Sequence, residues 1–167
     1  MNALADPKVA AFINEHCIAT YLKVGTFQII GGQKVGGNVA SYFCLYDGGV
    51  LHAVPGPVDS KTLLNEARWA VETRKFALTR STKLANGEVD MARYANQVRK
   101  AHEERLRELP HHVLVHRANI PGTPEHQQAE AHRLLAADAL TPIDQIYPMV
   151  WEGILHEKLS NLPVAQR

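Results

Sequence analysis

The chain has 167 residues, of which 46% are hydrophobic and 21% charged, and its formal net charge is +1. That length suits one domain, or one compact core with an appended piece, and the composition is that of an ordinary globular protein. A near-neutral charge, short apolar runs and an opening (MNALADPKVAAF) without a basic-then-apolar layout exclude nucleic-acid binding, membrane spanning and secretion as expectations, leaving a cytoplasmic protein.

Asp6-Pro7 reads as an N-cap with proline at the first helical position, opening a helix through about His16 with Val9, Phe12 and Ile13 as its apolar stripe. CIATYLKV, residues 17–24, turns β-branched and aromatic and reads as a strand, which TFQII resumes after Gly25. Gly31-Gly32 and Gly36-Gly37 bracket a loop or wide turn. NVASYFCLY is the strongest strand, apolar on both faces as in a strand covered from both sides. Asp47-Gly48-Gly49 supplies the positive-φ positions of a hairpin turn, and VLHAV returns. After Pro55-Gly56-Pro57, Asp59 or Ser60 caps a helix with Leu63, Leu64, Ala67, Ala70 and Val71 at helical spacing.

Past about Leu78 the character changes. RSTKLANG is a polar connection, and Glu88 to Leu109 reads as a long charged helix with Met91, Tyr94, Ala95, Val98 and Leu106 on one side. Pro110 ends it, and HHVLVH is the one later run with β character. Thr123-Pro124-Glu125 opens a helix to about Ala137, and Thr141-Pro142-Ile143-Asp144 opens another with an acid at the capping-box position. Ile143, Ile146, Tyr147, Val150, Trp151, Ile154, Leu155 and Leu159 give that last helix a wide apolar face, and Pro148 inside it predicts a kink near Asp144 to Pro148. The expected fold is α/β: a half-sheet flanked by helices over residues 5–78, with a helical extension over residues 88–163 packed on it.

The pattern Asp6, Val9, Ile13-Asn14-Glu15-His16, then CIATYLKV, then the strand pair and helix of NVASYFCLYDGGVLHAVPGPVDSKTLLNEA, resembles the thioredoxin-like superfamily over residues 5 to 75. The resemblance implies a thioredoxin-like sheet, and it places the family's C-x-x-C motif upstream of Met1. At the position of the family's cis-proline stands Asn38-Val39. The usual chemistry needs a dithiol whose thiolate is stabilised at a helix N-terminus, so the resemblance points to a degenerate, non-catalytic member. It also implies that a central strand is missing, so TFQII, HHVLVH or a second copy of the chain should complete the sheet, since bare edges invite pairing.

Cys17 and Cys44 are the only cysteines; they fit neither C-x-x-C nor a metal-ligand spacing, and both read as small core residues. Tyr42, His52 and Asp47 form no readable triad. Of the later histidines (His111, His112, His116, His126, His132, His156), His126 pairs with Glu130, and His156 with Glu152, at helical i,i+4 spacing. These four are the candidate metal ligands, although His126, in a first turn after proline, should face solvent. Gly31-Gly32 and Gly36-Gly37 do not open a helix, so phosphate binding is not expected.

No catalytic or cofactor-binding residue and no cofactor is expected. The expected function is protein association, as a homodimer or with another protein. The apolar face of the last helix reads first as core packed against the Thr123 helix and the sheet, and alternatively as an interface with Tyr147, Trp151 and Ile154 as candidates because aromatic residues are frequent anchors. Two alternatives stand beside it. One is a start-shifted form of a thiol-disulfide oxidoreductase; the other is a metal-binding helical protein using His and Glu residues.

Overall fold

The structure, a computed structural model, describes residues 3–22, 27–36, 38–114 and 122–159. It is a mixed α/β fold. Helix α1 spans Pro7–His16, and the Asp6 carboxylate accepts from the backbone amides of Lys8 and Val9, as a cap before proline should. Residues 17–22 carry no regular structure, so the described part of CIATYLKV is not a strand. β character needs a ladder partner; here Ile18 and Tyr21 are exposed instead. Residues 23–26 lie outside the described residues.

Strand β1 (Phe27–Ile30) folds back on β2 (Gln33–Gly36) in an antiparallel pair. The turn between them is Gly31-Gly32, at φ 59° and 80°, a two-residue geometry that suits glycine at both positions. The segment expected as a loop thus becomes a second strand. This hairpin forms a sheet of its own.

The second sheet pairs β3 (Ala40–Cys44) with β4 (Val50–Pro55), with Tyr42 opposite Ala53 and Phe43 opposite His52. A bulge falls between Phe43 and Cys44. All six residues of β4 are buried, whereas β3 is half-buried and ends exposed. β4 lies under helices and β3 forms the rim. Neither expected intrachain segment completes this sheet among the described residues: β1 is in the separate hairpin, and the described part of HHVLVH is the short helix α4 (His111–Leu114). Val115 and His116 lie outside the described residues.

Helix α2 (Ser60–Arg80) starts at Asp59, α3 (Met91–Glu108) at Asp90 and α5 (Pro124–Ala137) at Thr123, each cap side chain accepting a backbone amide from its first turn. Helices α2 and α5 pack on β4, α3 packs on both of those helices, and α1 packs on α2. Helix α6 (Ile143–Pro148) starts without the expected side-chain cap and runs into a π-helical turn, Met149–Ile154. The expected discontinuity at Pro148 is thus a widening of the helix, with the Leu155 amide reaching the Val150 carbonyl. Proline has no amide to donate to the α ladder, so the register changes there.

One core cluster joins Val50 and Ala53 of β4 to Ala131 and Leu135 of α5 and to Ile146, Val150, Trp151, Ile154 and Leu155. Tyr147 packs against it, half-buried. The apolar face of the last helix is therefore covered by its own chain, and Trp151 and Ile154 are core residues rather than surface anchors. A second cluster joins Leu51, Ala77, Tyr94 and Val98. Both clusters draw on the strand pair and on the later helices.

Candidate metal centre

Between the two clusters, the core holds polar rings where apolar side chains would be expected. His52 (β4) and His102 (α3) are 0% exposed and His132 (α5) is 1% exposed. Each occupies a core position of its element for an ordinary reason. His52 lies in a fully buried strand, and His102 continues the buried stripe Tyr94, Val98 at intervals of four on α3. His132 follows Ala129 and Ala131 and precedes Leu135 on the buried side of α5.

The rings stack into one group, with centroids 5.8 Å apart for His52 and His102, 5.2 Å for His52 and His132, and 5.0 Å for His102 and His132. Trp69 of α2 touches all three, at centroid distances of 4.6, 5.0 and 5.2 Å. One turn before it on the same helix, the buried carboxylate of Glu66 sits 2.8 Å from His52 Nε2. Arg105 of α3 lies on the other carboxylate oxygen at 3.3 Å.

These contacts assign the protons. Glu66 can only accept, so His52 Nε2 carries a hydrogen and Nδ1 is left with a lone pair. His102 Nε2 lies 2.9 Å from the Leu51 carbonyl and must donate to it, so His102 Nδ1 is also a lone pair. That atom is 2.8 Å from His132 Nδ1, which therefore donates, leaving His132 Nε2 as the third lone pair. His52 Nδ1 and His132 Nε2 are buried and have no hydrogen-bond partner.

Burial holds all three imidazoles neutral. It pushes His102 down to about 3, helped by the neighbouring His52, and His132 down to about 2, helped by His52 and His102. For His52 burial lowers the pKa and outweighs the opposing bond and charge of Glu66. Burial alone would raise Glu66, but the His52 hydrogen bond and the Arg105 charge together keep it below the usual carboxylate value.

Neutral imidazoles with free lone pairs are what a transition-metal ion requires. One ring nitrogen from each of His52, His102 and His132 lies within 4.8 Å of one from each of the others, and this is the only such group of three or more ligating side chains among the described residues. The backing is also that of a metal site: ligating histidines commonly donate their second nitrogen to a carboxylate or a carbonyl, here Glu66 and Leu51. Binding at about 2 Å per nitrogen would draw the three atoms to roughly 3.3 Å of one another and displace the His102–His132 hydrogen bond.

The four ligands read from helical spacing lie elsewhere. His126 is buried, against expectation, because its Nδ1 lies 2.9 Å from the carbonyl of Val113 in α4, which folds over the start of α5. Glu130 is 3.5 Å from His126 Nε2 and also binds Arg133, which holds the Leu114 carbonyl at 2.6 Å. This pair fastens α4 to α5. Glu152 and His156 are exposed, and His156 has a left-handed φ of 55°. Of the residues singled out from the sequence, His52 and His132 belong to the buried group, though neither is among the four candidate ligands. Cys44 is exposed and Cys17 half-buried, so neither is the core residue expected; Cys44 ends β3 just past the bulge, at the rim of the sheet.

Compared with protein-family models, curated proteins and solved structures, the chain matches none of them.

Proposed function

We propose that this protein binds a transition-metal ion at a centre formed by His52, His102 and His132. One observation carries the reading: two fully buried imidazole nitrogens, His52 Nδ1 and His132 Nε2, have no partner. A buried acceptor left unmade costs about 1–3 kcal/mol, and an ion shared by the three rings removes that cost for both. Glu66 and Leu51 orient two of the ligands, and Trp69 keeps water from them. The test is equilibrium dialysis of metal-stripped protein against first-row metals, followed by elemental analysis. About one equivalent should be retained, and both His52→Gln and His132→Gln should lose it while keeping a native far-UV spectrum. Wild-type protein that retains no metal removes the reading.

A second reading, association as a thioredoxin-like module, has its own support. Among the described residues β3 pairs with β4 alone, and Tyr46 just beyond it is fully exposed. An uncovered strand edge is a template for another chain. Light scattering over a concentration series should then report a homodimer that Tyr46→Asp weakens. A monomer at every concentration, with no partner on cross-linking, ends this reading.

A further inference from the structure

We infer that the ion selected by this centre is monovalent copper, and that Trp69 closes the side of the site where a fourth ligand would stand. The inference rests on the metal-binding reading above and adds the identity of the ion.

The donor set points first. Three neutral imidazoles suit copper, zinc, iron or nickel, and no thiolate or carboxylate joins them within ligating distance among the described residues. Zinc sites take four ligands, with a water or substrate in the fourth place when the protein supplies three. Here the three rings are 0–1% exposed and Trp69 lies 4.6–5.2 Å from each. An indole offers an N–H donor and no lone pair for a metal. Trp69 therefore fills the space without coordinating, and a d10 monovalent ion content with three nitrogens fits what remains.

Charge points the same way. Among the described residues Glu66 is the one carboxylate hydrogen-bonded to the group, and it is already shared with Arg105. The pair sums to zero, so any ion brings its whole charge into the core. The desolvation cost of an ion rises with the square of its charge in a low-dielectric interior. A divalent ion thus meets about four times the penalty of a monovalent one, with no hydroxide or second carboxylate to offset it.

The experiment is paired competition on the metal-stripped full chain: anaerobic Cu(I) against a chromophoric Cu(I) chelator, and Zn(II) against a chromophoric zinc chelator. We expect one equivalent of Cu(I), held about a hundredfold or more tighter than Zn(II). Cu(I) should also quench the emission that Trp69→Phe removes, leaving that of Trp151. Trp69→Ala should tighten Zn(II) by about tenfold, because water can then complete its coordination. Zn(II) bound as tightly as Cu(I) by the wild type overturns the inference and leaves the metal centre standing. Retention of neither ion overturns both. The wild-type competition decides this whether or not the Trp69 variants fold.

Discussion

His102 Nδ1 and His132 Nδ1 face each other at 2.8 Å in the core, joining α3 to α5 through two imidazoles. Such a contact exists only if one ring donates and the other accepts, so at least one of the two must be neutral. The Leu51 carbonyl decides which ring donates. A single backbone oxygen on β4 thereby sets the tautomers of side chains on two helices.

That arrangement makes the metal-free protein sensitive to acid. The ordinary histidine value is 6.5, while His102 titrates at about 3 and His132 at about 2 in the folded chain. Below about pH 6.5 the unfolded state takes up protons that the folded state refuses, so stability is fully present above that pH and falls as pH drops toward 3. Each such group contributes a slope of about 1.4 kcal/mol per pH unit in the window. Glu66, with its carboxyl held low, adds a further loss once pH falls below its unfolded value of 4.5. Urea unfolding with a chelator present should show a level midpoint above about pH 6.5 that falls steadily from there to about pH 4.5; a flat profile would contradict the assigned neutral rings.

Glu66 should matter as a partner more than as a charge. Glu66→Leu strands the buried His52 Nε2–H and frees Arg105, which solvent partly reaches, so a loss of about 1–3 kcal/mol is expected. Glu66→Gln keeps an acceptor for one of them and should cost less than half of that. Equal losses for the two variants, measured by chemical denaturation, would mean that the side chain acts through packing alone.

Leu135 is fully buried among Val50, Ile146 and Trp151, so Leu135→Ala should cost about 2–5 kcal/mol. Met149, one residue past Pro148, is 45% exposed, and Met149→Ala should change stability by about 0.5 kcal/mol or less. Leu135 tests the core contribution of α5, and Met149 tests the register of the π-helical turn. A large loss at Met149 would place the other face of that turn in the core.

Cys44 sits at the rim of β3, yet the protein around its sulfur and the nearby Asp47 charge push its thiol up to about 11. At neutral pH only about one molecule in ten thousand carries the thiolate. Alkylation of Cys44 should be slow at pH 7 and speed up roughly tenfold per pH unit as pH rises. Fast neutral labelling would show a thiolate stabilised by something outside the described contacts.

The local signals in the sequence were highly legible. Asp6, Asp59 and Thr123 each cap the helix they precede, and Asp47-Gly48-Gly49 makes the turn of the β3–β4 hairpin, whereas α3 is capped by Asp90 and does not begin at the expected Glu88. Such features depend on a few neighbouring residues, so spacing reveals them. Pairing between distant segments does not: CIATYLKV has strand-like composition but no ladder in its described residues, and β2 arises because Gly31-Gly32 closes a hairpin. The histidine group was hidden for the same reason. His52, His102 and His132 come from three elements, so no linear motif joins them, and their shared signal is that each interrupts an apolar stripe. His126 and Glu130, the pair that spacing does suggest, instead fasten α4 to α5.

The three buried histidines stand 50 and 30 residues apart along the chain. An ion held by all of them would act on the unfolded ensemble as a pair of cross-links, because a chain tied at three points has fewer conformations open to it. For loops of that size the chain-entropy account gives on the order of 4 kcal/mol per closure. Loading the centre would then change how the whole protein unfolds: β4, α3 and α5 would separate in one step with loss of the ion, and the order in which they fray would no longer be set by their packing alone.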